Sequence, residues 1–281
     1  MVCVTLRLCH LIVVSWAQQG GMSMATADSN GTLIYYEAKG EGPTLVFAHG
    51  AGGNAAVWFN QIAHFCVDHH VIAFDHRGFG RTPIPEELYN VHQFRDDLLA
   101  VLDAEGVDQA HLVGQSMGGF TILRTALDAP QRVLSLTMSA TPGGIVNPNP
   151  TPALQALVAS SDRDASGLGN TMSQASMRRP ELMQLYESIN NFNLEFRWSR
   201  LSRLLGPEDV IQLEDLANVH CPTLFICGAE DPLFPPELFE NFVPHFPDAR
   251  MEMVADAGHS SYFEQPAVFN RLLRAHLAAA S

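Results

Sequence analysis

The chain almost lacks lysine. Of its 16 Lys and Arg side chains only Lys39 is a lysine, and 30 Asp and Glu residues outweigh them to a formal charge of −14. That balance repels phosphate backbones and anionic headgroups, and no basic run interrupts it, so neither nucleic acid nor a membrane surface is an expected partner. Lys39 sits between Ala38 and Gly40 in a turn-like stretch, which argues against Schiff-base chemistry and against a lysine that grips a bound phosphate. Cysteine is also scarce. Cys3, Cys9, Cys66, Cys221 and Cys227 are odd in number and not spaced as metal ligands, so no disulfide framework and no metal site is expected, and a reducing, cytoplasmic setting is. Beyond the N-terminal stretch no segment reaches the roughly 18 uninterrupted apolar residues of a membrane span. There are no internal repeats and no low-complexity tract.

What is present is a large apolar complement, 47% of 281 residues, enough for one large α/β domain or two small ones. Residues 1–23 read as an extension outside the fold. Leu6 to Trp16 is apolar after a single Arg7, and Ala25-Thr26-Ala27 has the small residues of a signal cleavage site. A start at Met22 or Met24 is preferred, because a hairpin signal begins directly after Met24. There Asp28-Ser29-Asn30-Gly31 precedes the strand-like Thr32–Ala38. Six further apolar runs have strand length: Thr44–His49, Val71–Asp75, His111–Gln115, Val133–Ser139, Thr223–Cys227 and Met251–Val254. Each is followed by turn residues and an amphipathic segment, the pattern of a parallel sheet covered on both faces. Gln93–Ala104 is the clearest helix, with Phe94, Leu98, Val101 and Leu102 on one face. Regularity breaks from Pro142 to Asp215, a segment with helix patterns and no strand run, which reads as an insertion. Its Met172, Met177, Met183, Phe192, Phe196 and Trp198 either pack it onto the body or line a pocket.

The strongest chemical signal is Gly114-Gln115-Ser116-Met117-Gly118-Gly119, between the strand ending at Gln115 and a helical stretch over Phe120–Leu127. A turn sharp enough to lift a serine above the sheet needs glycines on either side, where side chains would collide. The helix beginning at Met117 aims its free N–H groups at charge developing beside Ser116. A serine hydroxyl needs an imidazole to take and return its proton. Of the twelve histidines, His259 follows the last strand run, at the carboxyl edge of a parallel sheet where Ser116 also lies. His64, His69 and His70 straddle a helix–strand junction without ligand spacing, and His245 and His276 read as structural or exposed. A carboxylate must orient the imidazole. Asp231, after the strand Thr223–Cys227, fits the chain order Ser, Asp, His, and Glu230 is its nearest competitor. Asp162 and Asp164 are remote. Two backbone donors are needed for an oxyanion; Met117 supplies one, and Ala51, in His49-Gly50-Ala51-Gly52-Gly53, is the choice for the other.

These residues together resemble the α/β-hydrolase family, in particular its carboxylesterases, enol-lactone hydrolases and carbon–carbon bond hydrolases. The motifs in family order are His49 to Gly53, Asp75-His76-Arg77-Gly78-Phe79-Gly80-Arg81, Gly114 to Gly119, Gly228 to Asp231, and Gly258-His259 with Glu264 and Pro266; the resemblance spans nearly everything after Met24. It implies an α/β-hydrolase fold: an eight-stranded, mostly parallel sheet, a helical cap after the sixth strand, and no cofactor. The core is then 24–141 with 216–281, and the cap 142–215. Serine rather than aspartate at position 116 disfavours dehalogenation; Gln115 stands where many relatives have histidine, and Thr82 where serine is common.

The expected function is a serine esterase or lactonase acting on a small-molecule ester or lactone, as a monomer or homodimer. Gly50, Gln115, Phe192, Phe196 and Trp198 are the candidate substrate contacts. Two other readings use the same residues: cleavage of a carbon–carbon bond in a vinylogous diketone, and a receptor-like protein that binds with little turnover.

Overall fold

The computed structural model describes residues 23–83, 88–147, 149–159, 170–194 and 196–280. Asn30 and Gly31 both take left-handed backbone angles, φ 52° and 79°, and so turn β1 (Ser23–Ser29) back onto β2 (Thr32–Lys39) as an antiparallel hairpin. Two successive positive φ values match the twist of paired strands, which is why Asn-Gly serves here. The six apolar runs form β3 (Thr44–Ala48), β4 (His70–Phe74), β5 (Ala110–Gln115), β6 (Val133–Ser139), β7 (Thr223–Gly228) and β8 (Ala249–Val254). The sheet has eight strands in the order β1-β2-β4-β3-β5-β6-β7-β8. β2 meets β4 antiparallel, and every pairing from β4 to β8 is parallel.

Alternation within each strand builds two cores. Val46 and Ala48 of β3 face one side with Leu112 of β5 and Phe225 of β7. There they meet Leu98, Val101 and Leu102 of α2 (Val91–Ala104) and Ile122 and Leu123 of α3 (Met117–Asp128). Leu45 and Phe47 face the other side with Val113 and Leu224, against Phe65 of α1 (Phe59–Phe65) and Phe269 and Leu273 of the C-terminal helix (Pro266–Ala279). Central strands buried on both faces read as unbroken apolar runs, whereas β8, at the edge, is only partly covered.

Between β6 and β7 the described residues carry helices and one isolated bridge, Ile145 to Ile211, instead of a strand. The helices are α4 (Pro152–Ala159), a single turn at Gln174–Met177 and α5 (Pro180–Asn190), followed by a 3-10 segment, Trp198–Arg203. Met172 and Phe196 of this insertion are buried in the core that holds Phe47 and Trp58, with Met177 and Met183 packed against it. At the start of the chain Ser23 already belongs to β1, and the residues before it lie outside the described ones. Among the described residues no helix is long and apolar enough to cross a membrane.

Candidate active site

β5 delivers Ser116 to the carboxyl edge of the sheet at the N-terminus of α3, with φ 50° and ψ −115°. This is a strained conformation for a residue with a Cβ, costing about 1–3 kcal/mol. The flanking glycines allow it: a Cβ at Gly114 would come within 2.6 Å of the Gly118 carbonyl oxygen, and one at Gly118 would strike the Ala48 carbonyl. The turn is pinned by the Ser116 amide, which donates to Ser139 O at 3.0 Å, and by Thr141 Oγ1, which donates to Ser116 O at 2.6 Å. Met117 opens α3, so its amide is among those with no intrahelical acceptor.

His259 and Asp231 meet from the loops after β8 and β7. His259 Nδ1 lies 2.9 Å from Asp231 Oδ2, both residues being buried. The other oxygen, Asp231 Oδ1, accepts from the amides of Leu233 (2.8 Å) and Phe234 (3.2 Å). A carboxylate held by two amides presents its remaining oxygen to Nδ1, which fixes the proton there and leaves Nε2 to act as a base. Glu230 takes a different path: its Oε2 accepts from Gln174 N of the insertion at 2.8 Å.

The loop after β3 is a tight turn, with Gly53 N donating to Gly50 O at 3.0 Å and Gly52 at φ 82°. His49 is fully buried and spans it: Nδ1 donates to Gly50 O at 2.8 Å, while Nε2 accepts from His76 N at 3.0 Å. Burial lowers the His49 pKa to about 4, so the ring is neutral and the tautomer follows from its two partners. The Gly50 carbonyl and the Ala51 amide share one planar trans peptide, so anchoring the carbonyl also aims the Ala51 N–H the opposite way. Asp75 holds the adjoining loop by accepting from the amides of Ala55 (2.7 Å) and Arg81 (2.8 Å); its burial raises its pKa.

Ser116, His259, Ala51 and Met117 line one cavity of about 280 Å³. Apart from Asn147, its remaining described walls are apolar, among them Phe120 of α3, Leu154 and Leu157 of α4, Leu201, Leu204 and Leu205 from the end of the insertion, and Leu233 and Phe234 beside Asp231. Gly50, Gln115, Phe192 and Phe196 are not among its lining residues. Gln115 is buried, with Nε2 donating to His259 O at 3.1 Å, and Gly50 packs against its side chain. Phe196 stacks on Phe79 at 5.0 Å in the core. Phe192 is exposed, beside Arg81 and Leu194 in a separate surface hollow. The Trp198 side chain lies outside the described residues. Among the described residues no three His, Cys, Asp or Glu side chains converge as metal ligands do.

Two residues to which the sequence assigned no role at the site, Glu264 and Asn193, tie the insertion to it. Glu264, 1% exposed, accepts from Gly258 N (2.9 Å) and Ser260 N (3.1 Å) on Oε1 and from Ser173 N (2.8 Å) on Oε2, while Thr171 O receives the His259 amide at 2.8 Å. Asn193 donates through Nδ2 to Gly52 O and accepts from Gly80 N at 2.7 Å. The pairing of Glu264 with Pro266 in sequence was a cue for the first, whereas nothing local marks the bonds of Asn193 to Gly52 and Gly80, which lie more than a hundred positions away.

The profile of the Alpha/beta hydrolase family matches residues 45–272. Over 246 residues the chain is 29% identical to a protein assigned as carbamate hydrolase RutD from Azorhizobium caulinodans, the match covering 85% of this chain and 93% of that one. It is likewise 29% identical over 243 residues to 3-oxoadipate enol-lactonase 2 from Acinetobacter baylyi, covering 83% and 88% of the two chains. Among solved structures it is similar to Est816, described as an N-acyl homoserine lactone degrading enzyme. That likeness has a TM-score of 0.76 and 30% identity and covers 89% of this chain and 99% of that one.

Proposed function

Since the chain belongs to the alpha/beta hydrolase family, and several relatives similar to it are named as hydrolases, we propose that it is a serine hydrolase of small to medium carboxylic esters or lactones, acting through an acyl-enzyme on Ser116. The observation that carries this reading is the meeting at one cavity of a strained serine, a carboxylate-bound imidazole and two candidate amide donors. Two relatives named for lactone substrates support including lactones.

In this mechanism Ser116 Oγ attacks the substrate carbonyl as His259 Nε2 takes its proton, and the Ala51 and Met117 amides receive the negative oxygen. Asp231 stabilises the imidazolium without taking the proton. The tetrahedral intermediate collapses as His259 protonates the departing alkoxide, which leaves as the alcohol, or stays tethered to the acyl group when the substrate is a lactone. Water then attacks the Ser116 ester, His259 takes the water proton and returns it to Ser116, and the carboxylic acid is released. The insertion over 142–215 serves as the cap that walls the cavity with leucines.

A fluorophosphonate probe read by peptide mass spectrometry tests the assignment. Labelling is expected at Ser116 alone, with turnover of an activated ester abolished in Ser116→Ala. No labelling of folded protein, or surviving turnover in Ser116→Ala, overturns it. Multiple turnover of esters and lactones with no cleavage of a ring-fission diketone separates it from the carbon–carbon bond reading.

A further inference from the structure

The cavity around Ser116 and His259 restricts the acyl group it takes. Among the described residues its polar side chains are Ser116, His259 and Asn147, and it is lined by no arginine, lysine, aspartate or glutamate. Asn147 Oδ1 is already occupied in part, accepting from Asn149 N at 3.2 Å. The rest of the described lining is hydrocarbon, with Leu154 and Leu157 on one helix and Leu201, Leu204 and Leu205 on the returning segment.

A carboxylate entering such a space loses its water and finds, among the described residues, no cation and no amides beyond the Ala51 and Met117 pair that the reacting oxygen occupies, a penalty that is relieved only by pairing. The net charge of −14 adds a repulsive field to the approach of an anion. Each methylene that reaches the leucine wall instead gains the free energy of leaving water.

On this basis, and resting on Ser116 as the nucleophile, we infer that the enzyme is specific for uncharged aliphatic acyl groups and rejects esters or lactones whose acyl portion bears a free carboxylate. The amides of Ala51 and Met117 bind the reacting oxygen of either class equally, so discrimination resides in the leucine wall.

The test compares five p-nitrophenyl esters on the full-length protein, each rate divided by its spontaneous hydrolysis: acetate, butyrate, hexanoate, the monoester of adipic acid, and that monoester capped as its methyl ester. From acetate to hexanoate kcat/KM is expected to rise by roughly fourfold per methylene buried. The capped adipate is expected to fall within tenfold of hexanoate, and the free carboxylate at least a hundredfold below the capped ester. A carboxylate cleaved within tenfold of its capped form, or rates that fall steadily from acetate to hexanoate, overturns the inference. Fluorophosphonate labelling of Ser116 in the same preparation keeps the two questions apart. Labelling with an indifferent acyl profile removes only the specificity claim, whereas absence of labelling removes the nucleophile assignment beneath it.

Discussion

Replacing Glu264 with glutamine probes how the His259 loop is held. The carboxylate is buried with no ion pair to it among the described residues, and its two oxygens serve three amides, those of Gly258, Ser260 and Ser173. Glutamine is nearly the same shape but supplies one oxygen and one NH2 group. If the oxygen keeps Gly258 and Ser260, the NH2 group faces the Ser173 N–H, donor against donor. A buried donor left without an acceptor costs about 1–3 kcal/mol, and loss of charge from the remaining two bonds weakens each by about 1 kcal/mol. The smaller desolvation of a neutral amide offsets part of this, leaving a net loss of about 2–3 kcal/mol. In a chain of this size that corresponds to a Tm lower by roughly 4–10 °C. Because the same loop carries His259, whose own amide rests on Thr171 O, kcat is expected to fall about tenfold or more through misplacement of the imidazole. Thermal unfolding and steady-state kinetics on one preparation measure both. A Glu264→Gln protein with unchanged Tm and unchanged kcat would refute the claim that this carboxylate fixes the loop.

Asn193→Ala removes the donor to Gly52 O and the acceptor for Gly80 N, freeing the turn that presents Ala51. About a tenfold loss in kcat with KM unchanged is expected, with a matching loss in affinity for a trifluoromethyl ketone that mimics the tetrahedral intermediate; a higher KM with unaltered kcat would assign Asn193 to substrate binding instead. Stability should depend on acid through three buried histidines, His49, His111 and His276, each lowered by burial from 6.5 to about 4. A base whose folded pKa is depressed contributes stability that is complete above the unfolded value and is lost as pH falls from 6.5 toward 4, when the unfolded chain takes up protons that the folded one refuses. Each contributes up to roughly 3 kcal/mol at neutral pH. Urea unfolding at pH 7.5 and 4.5 checks this, and equal midpoints would contradict it.

Strand positions and the serine turn were legible because their causes are local. An apolar run bounded by turn residues makes a buried strand whatever its neighbours, and Gly114, Gly118 and Ser116 satisfy the steric demands of their own turn within five residues. Chain order and sheet-edge logic also located His259 and singled out Asp231. The two adjacent carboxylates, however, differ in a way no spacing reveals: Asp231 faces Nδ1 of His259, while Glu230 turns to the Gln174 amide.

The cavity wall was not legible. Phe192, Phe196 and the methionines were the conspicuous apolar groups of the insertion, yet Phe196 and Met172 went into the core and Phe192 to the surface. Less conspicuous leucines at helical spacing, Leu154 with Leu157 and Leu201 with Leu204 and Leu205, line the cavity that Ser116 enters. The sequence by itself therefore determined the sheet and the sharp serine turn, each set by short-range sterics and by the period of burial, and it supplied the residue types of the proposed proton transfer. Only the tertiary structure decided which face of the insertion meets the body. That choice depends on partners distant in the chain, such as Ser173 with Glu264 and Asn193 with Gly52, because a helix can bury any stripe until a second surface selects one.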